Sequence, residues 1–206
     1  CCSGTAASGG PHEFTRIAAH LRGEHAVDAL PLPGYLPGQR LPATLDAAVE
    51  AQAAALPADI PLVLVGHSAG ALMACALTAH LSRQGTPPAG VALLDVYLPR
   101  AREAMLAWQR EISAGLMPEL ALDDTRLTAM GAYERLRAGW EPGPIGAPTL
   151  LIRASEPLAP WDGPGDWRSS WDHPHVPVDV PGNHFTMMQE HAESTARALR
   201  TWLASL

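Results

Sequence analysis

The stretch Pro61-Leu62-Val63-Leu64-Val65-Gly66-His67-Ser68-Ala69-Gly70-Ala71-Leu72-Met73-Ala74-Cys75-Ala76-Leu77 decides the fold. It opens as a short apolar run of strand type and closes as good helix-forming sequence. Between the two stands a Gly-x-Ser-x-Gly pentapeptide, residues 66–70. A serine on such a sharp strand-to-helix turn carries its hydroxyl exposed above a sheet. Gly66 and Gly70 suit the flanks because a side chain there would strike the neighbouring strand and helix. The pentapeptide alone recurs by chance. Strand, elbow and helix in series point to acyl attack by Ser68.

Working outward, Gly10-Pro11 can start a helix whose Phe14, Ile17, Ala18 and Leu21 share one face. Val27 to Leu32 reads as a strand, ended by the turn-rich loop Pro33-Gly34-Tyr35-Leu36-Pro37-Gly38. Thr44 can cap a helix running to about Leu56, before Pro57. Beyond the elbow helix, Val91 to Asp95 is apolar without alternation, as a strand covered on both faces requires. Two helical stretches, about 100–114 and 123–138, follow with no strand between them. Pro148 to Ile152 and Val176 to Val180 are further strands, and Gln189 to Leu206 forms a closing helix. Strands alternating with helices give an α/β class with a mostly parallel sheet and helices on both faces. The interval of about 99–139 interrupts that rhythm and reads as a helical insertion, a lid over the carboxyl ends of the strands.

A chain of 206 residues suits a single domain, here 1–206, and 47% hydrophobic against 17% charged residues suits a well-filled core. The net charge of −7 argues against nucleic acid and anionic membrane as primary partners. No apolar run approaches the roughly 20 residues that span a bilayer. The three cysteines form no disulfide framework, since Cys1 and Cys2 are adjacent and Cys75 falls in a helix. A reduced, cytoplasmic compartment follows. No metal-ligand spacing occurs, and no cofactor of the chain's own is expected. Cys1-Cys2-Ser3-Gly4 looks like a strand end and its loop, so upstream sequence is expected to be missing.

A serine hydroxyl needs a base to take its proton and a third group to orient that base. With this elbow, the acid and then the histidine follow the serine in the chain. Of nine histidines, His184 alone sits in a loop between the last strand and the last helix, Pro181-Gly182-Asn183-His184-Phe185. It is the candidate base. Two acids compete: Asp95 ends the strand after the elbow helix, and Glu156 ends the next one. Glu156 could instead cap a turn or pair with Arg153, and strand order leaves the choice open. Two backbone N–H groups must hold the developing oxyanion. Ala69, after the nucleophile, supplies one; the loop Ser3-Gly4-Thr5-Ala6 is the candidate for the other.

Several longer stretches carry a family likeness. They are Cys1 to Arg16, Pro33-Gly34-Tyr35, Val65 to Met73, Leu94-Asp95-Val96-Tyr97, Asp123 to Tyr133, Glu156-Pro157, Pro160-Trp161 and His184-Phe185-Thr186-Met187. In these the chain resembles the terminal thioesterase domains of modular type I polyketide synthases, of the macrolide-forming kind, which have an α/β-hydrolase fold. The resemblance implies Asp95 as the acid, leaves Glu156 structural, and offers the Thr5 amide as second oxyanion donor. Asn183 departs from it, standing where Asp is expected before the histidine; Leu98, Leu158 and Ala159 depart as well.

The implied substrate is a polyketide acyl chain on the phosphopantetheine of an upstream acyl carrier protein. Ser68 would take the acyl group, and a hydroxyl of the chain or water would release it as macrolactone or acid. Tyr35, Tyr97, Met130 and Tyr133 are candidate substrate-binding residues of the chamber, against a plain reading as core or lid packing. Family members pair through N-terminal helices, so a homodimer is expected only if such helices precede Cys1. Two rival readings use the same residues. One is a stand-alone editing thioesterase or esterase using water only; the other is a non-catalytic hydrolase fold serving as a binding module.

Overall fold

The computed structural model describes residues 1–57, 60–99, 106–108, 123–163 and 165–206, and a parallel sheet runs through them. Its strands are β1 (Val63–His67), β2 (Gly90–Leu94), β3 (Thr149–Ala154) and β4 (Val176–Val180), adjacent in that order. The register pairs His67 with Leu94, Leu94 with Ile152 and Ile152 with Val178, so the carboxyl ends finish side by side. Helices α1 (Thr15–Leu21) and α2 (Leu45–Ala53) precede β1, α3 (Ala69–Arg83) joins β1 to β2, α4 (Asp124–Leu136) falls between β2 and β3, and α5 (Ala192–Leu203) follows β4.

Both faces of the sheet are covered, and β2 shows why its sequence does not alternate. Val91 and Leu93 pack into one apolar cluster with α2, α3 and α4, while Ala92 and Leu94 pack into another with α1 and α5. Successive side chains of a strand point to opposite faces, so a strand with two covered faces needs apolar residues at every position. The elbow helix α3 obeys the same logic: every residue from Gly70 to Thr78 is buried. β4 lies at the edge and is protected as edges usually are, with Pro177 and a charged residue, Asp179, in it.

Several boundaries differ from the sequence reading. Val27 to Leu32 forms no strand; Leu30 makes a single bridge to Cys2, which also bridges Gly66. Pro31 and Pro33 lack the N–H groups that a continued ladder would need. Cys2 is thereby inserted beside β1, donating its N–H to Val65 O at 2.7 Å. Thr44 caps α2 as expected, accepting from the Ala47 N–H at 3.1 Å. The predicted helix at 100–114 lies outside the described residues except for 106–108. The helix predicted over 123–138 is α4, capped by the Asp123 side chain on the Arg126 N–H. Arg153 pairs with Asp179, its register partner on β4, at 2.7 and 3.1 Å, and not with Glu156.

Gly70 is required by a close approach. A Cβ there would collide with the Cys2 carbonyl oxygen and stand 3.1 Å from Ser3 C and 3.2 Å from Gly4 N. All three are backbone atoms, which cannot swing aside as a side-chain tip can. Gly70→Ala is therefore expected to lower the urea midpoint by the equivalent of about 2 kcal/mol, a typical overpacking cost. An unchanged midpoint would mean that residues 2–4 do not lie against α3.

Candidate active site

The end of β1 passes into α3 through Ser68, whose φ of 53° and ψ of −123° fall where side chains are strained. Its N–H continues the ladder onto Leu94 O at 2.9 Å. The serine is thus pinned to the neighbouring strand while its half-buried side chain stays reachable. Ala69 is the first residue of α3, where an N–H has no acceptor inside the helix and points outward at its positive end.

One residue beyond β2, Asp95 also has positive φ, 44°. Its N–H donates to Ile152 O at 2.7 Å, and its Oδ1 accepts from the Ala154 N–H at 3.1 Å. The other oxygen, Oδ2, accepts from His184 Nδ1 at 2.7 Å. Asp95 is fully buried and His184 is 3% exposed. Burial acts to raise the Asp95 pKa, but the His184 hydrogen bond, the His184 charge and the Ala154 N–H together hold it below the ordinary value. A carboxylate offers no proton, so Nδ1 of neutral His184 carries the hydrogen and Nε2 keeps its lone pair. Glu156 is exposed, with its backbone N–H on Gly182 O at 3.0 Å. The structure brings Asp95, and not Glu156, to the histidine.

The loop bearing His184 is built by the residue before it. Asn183 Oδ1 accepts from the N–H groups of Phe185 and Thr186, both at 3.0 Å. This turn needs only a side-chain oxygen, so Asn183 does what an aspartate would do there.

A residue that the sequence reading passed over holds the loop from the other side. His67, inside the elbow, is 5% exposed. Its Nε2–H donates to the His184 carbonyl at 2.9 Å, and the two imidazoles lie 4.5 Å apart between centroids. Its signal in sequence was a histidine ending a strand whose other residues, Val63 to Gly66, carry no polar side chain. Burial first, and then the nearby His184 charge, push the His67 pKa down to about 3.

That shift has a sign. An unfolded chain protonates its histidines near pH 6.5, whereas folded His67 resists until about pH 3. Between those values the unfolded state binds more protons, so stability is full above pH 6.5 and falls with acid. The slope is about 1.4 kcal/mol per pH unit for one site. Asp95 adds a loss only at lower pH, as pH falls through its depressed pKa. Glu13 opposes, because burial raises its pKa despite N–H donors from Gly4 and Gly10. Urea unfolding is expected to show about 2 kcal/mol less stability at pH 5 than at pH 7. In folded His67→Gln that difference shrinks; an undiminished slope would show that His67 is not its source.

The loop Ser3 to Ala6 lies beside the amino end of α3, in the contact that Gly70 permits. Thr5 is buried, its carbonyl accepts from the Tyr35 hydroxyl, and its N–H has no partner among the described residues. Tyr97 meets His184 edge-on at 5.9 Å. Tyr35 and Tyr133 belong to the core instead, 7% and 0% exposed, with rings 5.7 Å apart and hydroxyls on the carbonyls of Thr5 and Pro33. Met130 is half-buried on α4. Cys1, Cys2 and Cys75 are free thiols. Among the described residues no helix is long and apolar enough to cross a membrane, and no group of three His, Cys, Asp or Glu could hold a metal ion.

The geometry can be set beside known proteins. The model of the thioesterase domain family matches residues 1–203. Erythronolide synthase EryA3 of Saccharopolyspora erythraea is 51% identical over 98% of this chain, and polyketide synthase GfsE of Streptomyces halstedii 43% over all of it. The chain spans only 6% of the length of each. Among solved structures, the RedJ thioesterase from the prodiginine biosynthetic pathway of Streptomyces coelicolor superposes with a TM-score of 0.67 at 28% identity. That match covers 95% of this chain and 86% of RedJ. The fold is that of thioesterase α/β-hydrolase domains, a parallel sheet flanked by helices.

Proposed function

Since the chain belongs to the thioesterase domain family, we propose that it releases a finished polyketide from an acyl carrier protein through an acyl-Ser68 intermediate. The observation that carries this reading is the buried 2.7 Å hydrogen bond from His184 to Asp95, beside the strained turn that bears Ser68.

In the first half, Ser68 Oγ attacks the carbonyl carbon of the phosphopantetheine thioester while His184 Nε2 takes the hydroxyl proton. Asp95 holds the imidazole in the required tautomer and stabilises the imidazolium. The N–H groups of Ala69 and Thr5 receive the oxyanion. Collapse expels the pantetheine sulfur, which leaves as a thiol with the proton from His184. In the second half, a hydroxyl of the acyl chain attacks the serine ester and loses its proton to His184. The same proton returns to Ser68 Oγ as the macrolactone departs.

Ring closure competes with water because an intramolecular hydroxyl, once oriented, acts at a high effective concentration. The chamber that folds the chain back would have Tyr97 beside the base and Met130 on α4 as lining candidates. The product of a single turnover on the carrier-bound hydroxyacyl chain tests the assignment. A product one water lighter than the linear acid is expected. Linear acid alone, from several cyclisable chains, would leave a water-using thioesterase.

A further inference from the structure

The stretch Asp123-Asp124-Thr125-Arg126 has no part in the chemistry above, yet its arginine reaches across the molecule. Arg126 stands in the first turn of α4, whose start is fixed by Asp123 Oδ1 on the Arg126 N–H at 2.8 Å. Its Nε donates to the Ala7 carbonyl and its Nη2 to the Gly9 carbonyl, over 119 and 117 positions of sequence. The guanidinium also lies over the Tyr35 ring, 5.7 Å from its centroid. That tyrosine donates to the Thr5 carbonyl and packs on Tyr133 of α4.

The loop is held a second time by Glu13, whose Oε2 accepts from the N–H groups of Gly4 and Gly10, each at 3.2 Å. The peptide that carries the Thr5 N–H lies between residues 4 and 5. The peptide before it is held through Gly4 by Glu13, and the one after it through the Thr5 carbonyl by Tyr35. Rotation of the 4–5 peptide would turn the Thr5 N–H away from Ser68, and both of its neighbours resist that. Arg126 secures the rest of the loop and the tyrosine together.

We infer that Arg126 is a positioning residue that ties helix α4 to the loop presenting the Thr5 amide, so that the oxyanion donor is set only when α4 is seated. This rests on the reading of Thr5 and Ser68 given above. A planar guanidinium suits the task because its fixed fork of donors serves two carbonyls while its face lies on an aromatic ring. A lysine ammonium is a compact charge with no planar fork to span both carbonyls and no flat face to lie on the ring.

Losing one oxyanion donor costs about 10²–10³-fold in kcat in other enzymes. In Arg126→Met kcat is expected to fall about 10²-fold with KM little changed, and in Arg126→Lys about 10-fold. Affinity for a trifluoromethyl ketone analogue, which forms a tetrahedral adduct on serine, should fall in proportion. Tyr35→Phe should cost less in Arg126→Lys than in the unsubstituted chain, because both act on one loop. A packing role alone would lower the melting temperature and leave kcat and ketone affinity in place, which overturns the inference. If Arg126→Met does not fold, a wild-type kcat in Arg126→Lys overturns it equally. Labelling of the unsubstituted protein by a fluorophosphonate separates the two readings. A folded chain unlabelled at Ser68 sinks the proposed function, whereas a labelled chain indifferent to Arg126 sinks only this inference.

Discussion

With Ser68 replaced by alanine, turnover of an acyl-pantetheine thioester is expected to fall by about 10⁶-fold, with KM little affected. The magnitude follows from the kind of group removed. A nucleophile is part of the covalent path, and no neighbour can take its place at the elbow. The flanking side chains are His67, which is occupied with the His184 carbonyl, and Ala69. The oxyanion donors are backbone groups and survive the substitution, so catalysis of about 10³–10⁴-fold over water remains from them and from binding. The turn itself should relax, because alanine at a positive φ has no compensating chemistry. Initial rates and a mass spectrum without any acyl adduct check this. Retention of more than a hundredth of the rate would assign the nucleophile elsewhere.

Asp95→Asn is expected to cost about 10⁴-fold in kcat, the loss seen in the general triad when the orienting acid becomes an amide. That corresponds to about 5.4 kcal/mol of transition-state stabilisation. The structural cause is specific. An asparagine could present its NH₂ toward His184 Nδ1, which then holds its proton on Nε2 and points a donor at Ser68. Keeping the oxygen toward His184 would place the NH₂ against the Ala154 N–H, which now donates to Oδ1 at 3.1 Å. The first arrangement leaves His184 without a lone pair to take the serine proton, and the second sets a donor against a donor. Glu156→Gln, on an exposed side chain, should alter the rate by no more than about twofold. The comparison of the two variants is made under identical conditions; a larger loss in Glu156→Gln would exchange their roles.

Much of this arrangement was legible along the chain. The elbow needed only local pattern: five apolar residues, a glycine-bounded serine and a helix. β2 and β3 announced their two covered faces by lacking alternation, and His184 was marked by its loop. What could not be read were relations set by the sheet. Asp95 and Glu156 both end a strand; strand order left them even and only the family resemblance favoured Asp95, whereas the register and its positive φ bring its carboxylate to His184. Val27 to Leu32 carries strand-like residues, yet Pro31 and Pro33 remove the donors a ladder requires. His67 drew no notice because its partner, the His184 carbonyl, lies 117 positions away. The grip of Arg126 on Ala7 and Gly9 escaped for the same reason, since hydrogen bonds to distant backbone leave no periodicity. Tyr35 and Tyr133 looked like chamber residues by type, whereas packing against each other buries them.

The central claim is a covalent acyl-enzyme on Ser68, and it can be observed directly. A hydroxyacyl-pantetheine thioester is mixed with the protein, quenched in acid within one turnover, digested and weighed. The peptide containing Gly66-His67-Ser68-Ala69-Gly70 is expected to carry the mass of the acyl group. The adduct should be absent from Ser68→Ala and form far more slowly in Asp95→Asn. Thioester consumed with no adduct on that peptide at any quench time, or an adduct on a different residue, would contradict the account.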